Sequence, residues 1–318
     1  MMSTERDRSD RPVPGSFIVA RYLTVGNLLV EDVVTPDGVC VLDRLGGDAL
    51  YAAIGARAFA DDVRIAVRLG RGFPPELVRT LEDAGLGDGL IPSEHDAVRL
   101  WVELGIEGGA RFTFQSGTYV DATPTPDELP AELAAGLDAV HVAPVPFEQM
   151  EALVAWARPR ARLVTVDPHY EHMGADWSRI LPHIDAFLPS RDEATALLAG
   201  WPGPEPAARR IASMGARTVV IKLGDEGSIG LRGHELVRLP AADAAPVDAT
   251  GCGDAFCGGF LAGLAETDDL RTAMTYGTVA AGIVARDHGA AHALDLDRDD
   301  VRRMLTAFRA FAPGSATT

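Results

Sequence analysis

Apolar and polar positions along the chain switch repeatedly between a period of two and a period near 3.6. Residues 17–25 are apolar and β-branched between turn formers, which predicts a first strand. Beyond Gly46-Gly47, Leu50, Ile54 and Ala58 share one helical face, so a helix is expected over 48–60. A strand follows at 63–69. A helix is expected at 74–84, with two prolines at its start, where a missing N–H costs little. Residues 98–105 and 110–115 read as two short strands around a Gly108-Gly109 turn. Beyond them, strands are expected at 139–142, 161–166, 186–188 and 218–223, with helices at 147–157 and 192–198. Residues 229–239 suggest a hairpin, and 253–311 read as three consecutive helices.

Strand–helix alternation of this kind implies an α/β fold: a doubly wound, mostly parallel sheet with helices on both faces. The strand pair at about 97–116 breaks the rhythm and is expected to form a small β lid over a site. No internal repeat and no Pro- or Ser-rich divider interrupts the pattern. Residues 16–312 are therefore expected to form one domain, between disordered tails at 1–15 and 313–318.

Composition removes several classes of function. The 318 residues are 47% hydrophobic, enough for a large core. The formal net charge of -17 repels polyanions, so no nucleic-acid partner is expected. An anionic ligand would need local cations, backbone N–H groups or a metal. Lys222 is the only lysine among the 29 basic residues. Cys40, Cys252 and Cys257 lack C-x-x-C spacing, which argues against a disulfide framework or a zinc site. His169 and His172 are three apart but no Cys or further His follows at zinc-site distance. No run approaches the ~18 apolar residues of a membrane span, and the polar first residues lack a signal-peptide core. The expectation is a cytoplasmic protein with no membrane contact.

Candidate chemistry concentrates in the run Asp248-Ala249-Thr250-Gly251-Cys252-Gly253-Asp254-Ala255-Phe256. Gly251 and Gly253 clear side chains from the point where a loop enters a helix. The free N–H groups there suit an anion such as a transferring phosphoryl group. Asp254, in the first turn, is placed to take a proton from a hydroxyl, or simply to stabilise the helix start. Cys252 sits among converging N–H groups, so an acidic, reactive thiol is expected there. The alternative is an inert small side chain.

The run resembles the signature of the PfkB, ribokinase-like sugar kinases, D-T-x-G-A-G-D before a helix rich in small residues. Here it reads D-A-T-G-C-G-D, with Ala249 and Cys252 as departures. The resemblance covers roughly residues 17–311. It implies an ATP-dependent phosphotransferase acting on a hydroxyl of a sugar or sugar-like molecule. Asp254 would be the general base, with Gly251, Cys252 and Gly253 around the phosphate. It further implies ATP, Mg²⁺ and, in some members, a monovalent cation such as K⁺.

Other segments match the family in order. Gly46-Gly47 resembles the glycine pair that approaches the sugar, with Tyr51 where the family commonly has Asn. The first strand's exit supplies an acid for acceptor hydroxyls; the usual spacing falls on Glu31, and Asp32, one residue later, is favoured. Arg111, in the lid's second strand, is expected to face the substrate. Ser190 and Glu193 resemble the N-x-x-E motif, with Glu193 serving the metal; the same pair also forms a capping box. Lys222, Gly224, Gly227 and Thr250 fall beside the nucleotide, with Lys222 either reaching a phosphate or lying on the surface. Residues 285–290 resemble the border of the adenine pocket and of the monovalent-cation site, and Asp167-Pro168-His169 falls along the cleft. Tyr51 makes a nucleoside kinase the alternative, followed by a ligand-binding member without catalysis. A homodimer through the lid is carried as a further expectation.

Overall fold

The computed structural model describes residues 20–106, 109–242 and 246–312; the tails expected at 1–15 and 313–318 lie outside it. Strand β1 (Arg21–Gly26) is followed by β2 (Leu29–Val34), β3 (Cys40–Gly46), α1 (Asp48–Arg57), β4 (Asp62–Arg71), α2 (Pro75–Asp83) and β5 (Leu90–Asp96). Next come β6 (Arg99–Ile106), β7 (Gly109–Ser116), α3 (Tyr119–Ala122), α4 (Ala131–Ala134), β8 (Ala139–Val142), α5 (Phe147–Ala157), β9 (Leu163–Val166), β10 (Ala186–Phe187) and α6 (Arg191–Leu197). The remaining elements are α7 (Pro204–Ser213), β11 (Thr218–Lys222), β12 (Ser228–Arg232), β13 (Glu235–Leu239), α8 (Cys252–Thr267), α9 (Leu270–Val284) and α10 (Arg298–Phe311).

Nine strands form the main sheet in the order β13-β12-β11-β10-β9-β8-β1-β4-β5. Pairing is parallel from β5 through β11 and antiparallel at β12 and β13. This is the expected doubly wound sheet. Chain order reverses at β1, which has β4 on one side and β8 on the other, and the carboxyl ends around such a point are where α/β folds bind ligands.

Helices cover both faces. On one, α1, α8 and α9 pack Ile54, Phe260 and Val279 into a continuous core; on the other, α5 and α7 pack Leu153 and Ile211 with Trp177 and Phe187. Helices α1 and α8 touch backbone to backbone: a Cβ on Gly55 would lie 2.0 Å from the Ala255 carbonyl oxygen. This contact brings Tyr51 of α1 against the start of α8.

The lid is larger than the expected hairpin. Besides β6 and β7 it contains β2 and β3, in the order β3-β2-β6-β7, with β2 and β6 parallel. It has its own small core of Leu29, Val33, Val98, Leu100 and Val102. β2 escapes a sequence reading because Glu31 and Asp32, adjacent acids, interrupt its apolar run.

Candidate functional site

A cleft of about 320 Å³ lies between the lid and the carboxyl ends of the central strands. It is lined by five carboxyl residues, Glu31, Asp48, Asp167, Glu193 and Asp254, and by Lys222. The structure therefore brings Asp254, Gly251, Gly253, Thr250, Tyr51, Glu193 and Lys222 together as expected.

Asp254 occupies the first turn of α8. Gly251 caps that helix at φ 75°, and a Cβ there would lie 2.3 Å from Cγ of the Tyr51 ring, so only glycine fits. The Asp254 carboxylate has no hydrogen-bonding partner among the described residues. Burial pushes its carboxyl well above the ordinary range; Asp48, Asp167 and Glu193 push the same way, and Lys222 opposes them.

Lys222 stands at the end of β11. Its Nζ pairs with Asp167 Oδ2 and lies 3.5 Å from Cys257 Sγ. Burial works against its charge, but Asp167 and the neighbouring acids hold the ammonium well above its usual range. The alternative of a surface lysine is thus corrected. Asp167 Oδ1 and Thr250 Oγ1 are buried without a partner, so two polar atoms in the cleft wall are left for a ligand.

Glu193 and Ser190 form the expected capping box: Ser190 N donates to Glu193 Oε2 at 2.6 Å, and Glu193 N to Ser190 Oγ at 3.3 Å. Burial, then Asp167, raises the Glu193 carboxyl to about 7. Ser190 itself, Gly224 and Gly227 do not line the cleft. Ser190 bridges to Lys222, while the two glycines form the turn between β11 and β12 at φ 66° and 85°.

The choice between Asp32 and Glu31 comes out the other way. Successive residues of a strand point to opposite faces, and it is Glu31 that faces the cleft. Asp32 is enclosed in the lid, where Arg99 Nη1 and Gln115 Nε2 donate to its carboxylate at 2.8 Å and Asp43 N at 2.9 Å. Burial opposes its charge, but these donors hold it below the usual carboxylate value. Glu31 lies over Gly46, where a Cβ would come within 2.0 Å of its Oε1, and accepts from the Tyr51 hydroxyl at 3.1 Å. Burial raises it to about 8.

Tyr51 is 1% exposed, with its ring against Gly251 and its hydroxyl on Glu31. The aromatic wall of the cleft comes chiefly from Phe112, Tyr119, His169 and Tyr170. Arg111 is not part of that wall: it is exposed and pairs with Glu103 at 3.5 Å, because strand alternation turns its neighbour Phe112 inward instead.

Asp48 was missed as a site residue. Directly after Gly47 it reads as an ordinary acid at a helix start, yet it stands half-buried in the cleft wall. Asn27 Nδ2 donates to its Oδ2 at 2.7 Å, and burial raises it to about 6.

Cys252 reverses its expectation. Burial, then Asp248 and Asp254, pushes the thiol up to about 12. Sγ lies 3.5 Å from the Ala281 carbonyl oxygen, so the residue packs on α9. Desolvation and like charge outweigh the helix-start N–H groups. Brief alkylation of the native protein is therefore expected to label exposed Cys40 first, with Cys252 protected whether or not ATP is added. Peptide mapping reads this out, and rapid, ATP-sensitive labelling of Cys252 would contradict it.

On the far side of α9, a second cavity of about 340 Å³ is lined by Ala242, Val279, Gly282, Arg286, Met304 and Phe308. Asp248 ties the motif loop to the segment after α9: its Oδ1 accepts from Thr250 N at 2.8 Å, and its Oδ2 lies 3.0 Å from His288 Nδ1.

Comparison with known proteins agrees with this fold. A family model described as pfkB family carbohydrate kinase matches residues 12–296. The cytidine kinase of Thermococcus kodakarensis is 28% identical over 279 residues, spanning 84% of this chain and 96% of that protein. A fructokinase from Vibrio cholerae O395, solved with fructose, ADP and calcium ion bound, superposes with a TM-score of 0.74 at 20% identity, covering 92% of this chain and 99% of that one. The adenosine kinase of Sinorhizobium meliloti gives a TM-score of 0.75 at 19% identity, over 93% and 100%.

Proposed function

Because this chain belongs to the pfkB family of carbohydrate kinases, we propose that its cleft moves the γ-phosphate of ATP to a hydroxyl of a sugar or nucleoside, with Asp254 as the base. The observation that carries the proposal is a half-buried carboxylate without a hydrogen-bonding partner among the described residues, in the first turn of a 16-residue helix, facing the cleft. Its raised proton affinity is what a general base working near neutral pH needs. Loss of the acceptor proton to Asp254 would make the hydroxyl oxygen the nucleophile. The N–H groups of Gly251 and Gly253 and the unpartnered Thr250 hydroxyl would meet the phosphate, while the Cys252 N–H already donates to the Ala249 carbonyl at 3.2 Å.

The apolar cavity beside α9 suits a flat base, with Val279 and Met304 as its walls. Glu193 and Asp167 offer carboxylate oxygens for Mg²⁺, and the buried, unpartnered Asp167 Oδ1 fits that assignment. When bound, the cation supplies neutralisation of charge on the transferring group. Residues 285–290 keep the place that the resemblance implies for a monovalent cation such as K⁺; their His288 already faces Asp248. The aromatic wall of Phe112, Tyr119 and Tyr170 favours a nucleoside as the second reading, in line with the similarity to a cytidine kinase.

ADP release with ATP·Mg²⁺ across sugars, polyols and nucleosides tests the proposal. At least one acceptor is expected to give a phosphorylated product, and ATP·Mg²⁺ alone is expected to raise the melting temperature. No product from any acceptor together with no thermal shift would overturn it.

A further inference from the structure

The acceptor side of the cleft holds more negative groups than the reaction uses. Asp254 serves as base, and Glu193 with Asp167 serves the metal and Lys222. Glu31, buried, and Asp48, half-buried, remain, and both face the cleft. The only cation among the lining residues, Lys222, is already paired with Asp167, and no arginine lines the cleft among the described residues. Asp167 Oδ1, buried without a partner, is the acceptor atom already given to the metal.

Buried acids are ordinarily matched by a partner charge or by a full set of donors. Glu31 receives only the Tyr51 hydroxyl and the Gly47 N–H, and Asp48 only Asn27. A hydroxyl on the ligand satisfies one lone pair but brings no charge. Opposite these acids stand the faces of Tyr119 and Phe112, which attract a cation as well as an apolar surface.

We propose that the natural acceptor carries a protonated amine beside its hydroxyls, with the ammonium held by Glu31 and Asp48 against the aromatic wall, and that anionic acceptors are rejected. This rests on the kinase reading of the same cleft and adds the charge of its second substrate. At neutral pH a phosphorylated or carboxylated acceptor would meet like charge from Asp48, with no free cation to offset it. Ammonium binding favours the ionised carboxylates, which burial and mutual repulsion disfavour in the empty cleft. Affinity for the amine is therefore expected to rise with pH from about 6, as Asp48 and then Glu31 lose their protons, until the amine itself deprotonates. A neutral acceptor would lack that dependence.

Calorimetric titration of the whole protein with Mg²⁺ and a non-hydrolysable ATP analogue tests this. Two matched sets serve as probes: 1-amino-1-deoxyfructose, fructose and fructose 6-phosphate; and glucosamine, glucose and glucose 6-phosphate. In at least one set the amine is expected to bind about tenfold or more tighter than the neutral sugar, a gap of about 1.4 kcal/mol, with the phosphate ester not bound. Asp48→Asn and Glu31→Gln are each expected to shrink that preference. Equal or better binding of the neutral or phosphorylated members would overturn the proposal, and so would no binding by any probe. The thermal shift with ATP·Mg²⁺ judges the kinase reading separately.

Discussion

Lys222→Met is expected to destabilise the folded protein by roughly 3–5 kcal/mol, the usual cost of stripping one partner from a buried ion pair. The loss should grow as pH rises. Lys222 is the sole cation among the residues lining a cleft that also holds Asp167, Glu193, Asp254, Asp48 and Glu31, and its side chain is only 13% exposed. Methionine keeps the stem and removes the charge. Every acid in the cleft then has a folded-state proton affinity further above its unfolded value. A carboxyl raised in this way binds more protons folded than unfolded, so its contribution is present at low pH and is lost as pH climbs through the raised value. The gap to wild type should be small at about pH 5, where the acids take up protons, and widest near pH 8. Urea denaturation at both pH values measures it. Equal stability at both would mean that Lys222 does not hold the acid cluster together.

Much of the fold was legible because the interior strands of a parallel sheet are continuous apolar runs. β8 and α5 fall where periodicity puts them, at Ala139–Val142 and Phe147–Ala157. β5, β2, β3 and α7 were not. β5 carries Pro92 and four polar residues at the sheet edge, and α7 begins on prolines that read as loop. In β2 the acids that interrupt its apolar pattern are there for the cleft and for the lid's own Arg99.

The motif around Asp254 was readable because its two glycines suit a helix start and the whole run resembles the family signature; spacing alone left a helix-stabilising Asp equally open. The acid cluster was not, since it is assembled from β2, α1, β9, α6 and α8. Asp32 was preferred although the usual spacing falls on Glu31, and a one-residue difference on a strand moves a side chain to the opposite face. Cys252 misled because helix-start N–H groups can be inferred from sequence, whereas the burial and the two acids that outweigh them cannot. Arg111 failed for the reason Asp32 did, with Phe112 taking the inward position.

Proton removal by Asp254 is the step on which the proposed chemistry turns. Asp254→Asn keeps the shape of the side chain and its place at the helix start, and removes only the proton acceptor. The variant also sheds a carboxyl whose charge its surroundings disfavour, so its melting temperature should equal or exceed that of the wild type. The most direct measurement is single-turnover phosphoryl transfer by this variant, with the acceptor that the turnover screen identifies, alongside its ATP·Mg²⁺ affinity. Transfer is expected to fall by about 10² or more, the scale of general-base loss, while ATP·Mg²⁺ affinity stays near that of the wild type. Transfer at a near-normal rate in Asp254→Asn would contradict the assignment of Asp254 as the base.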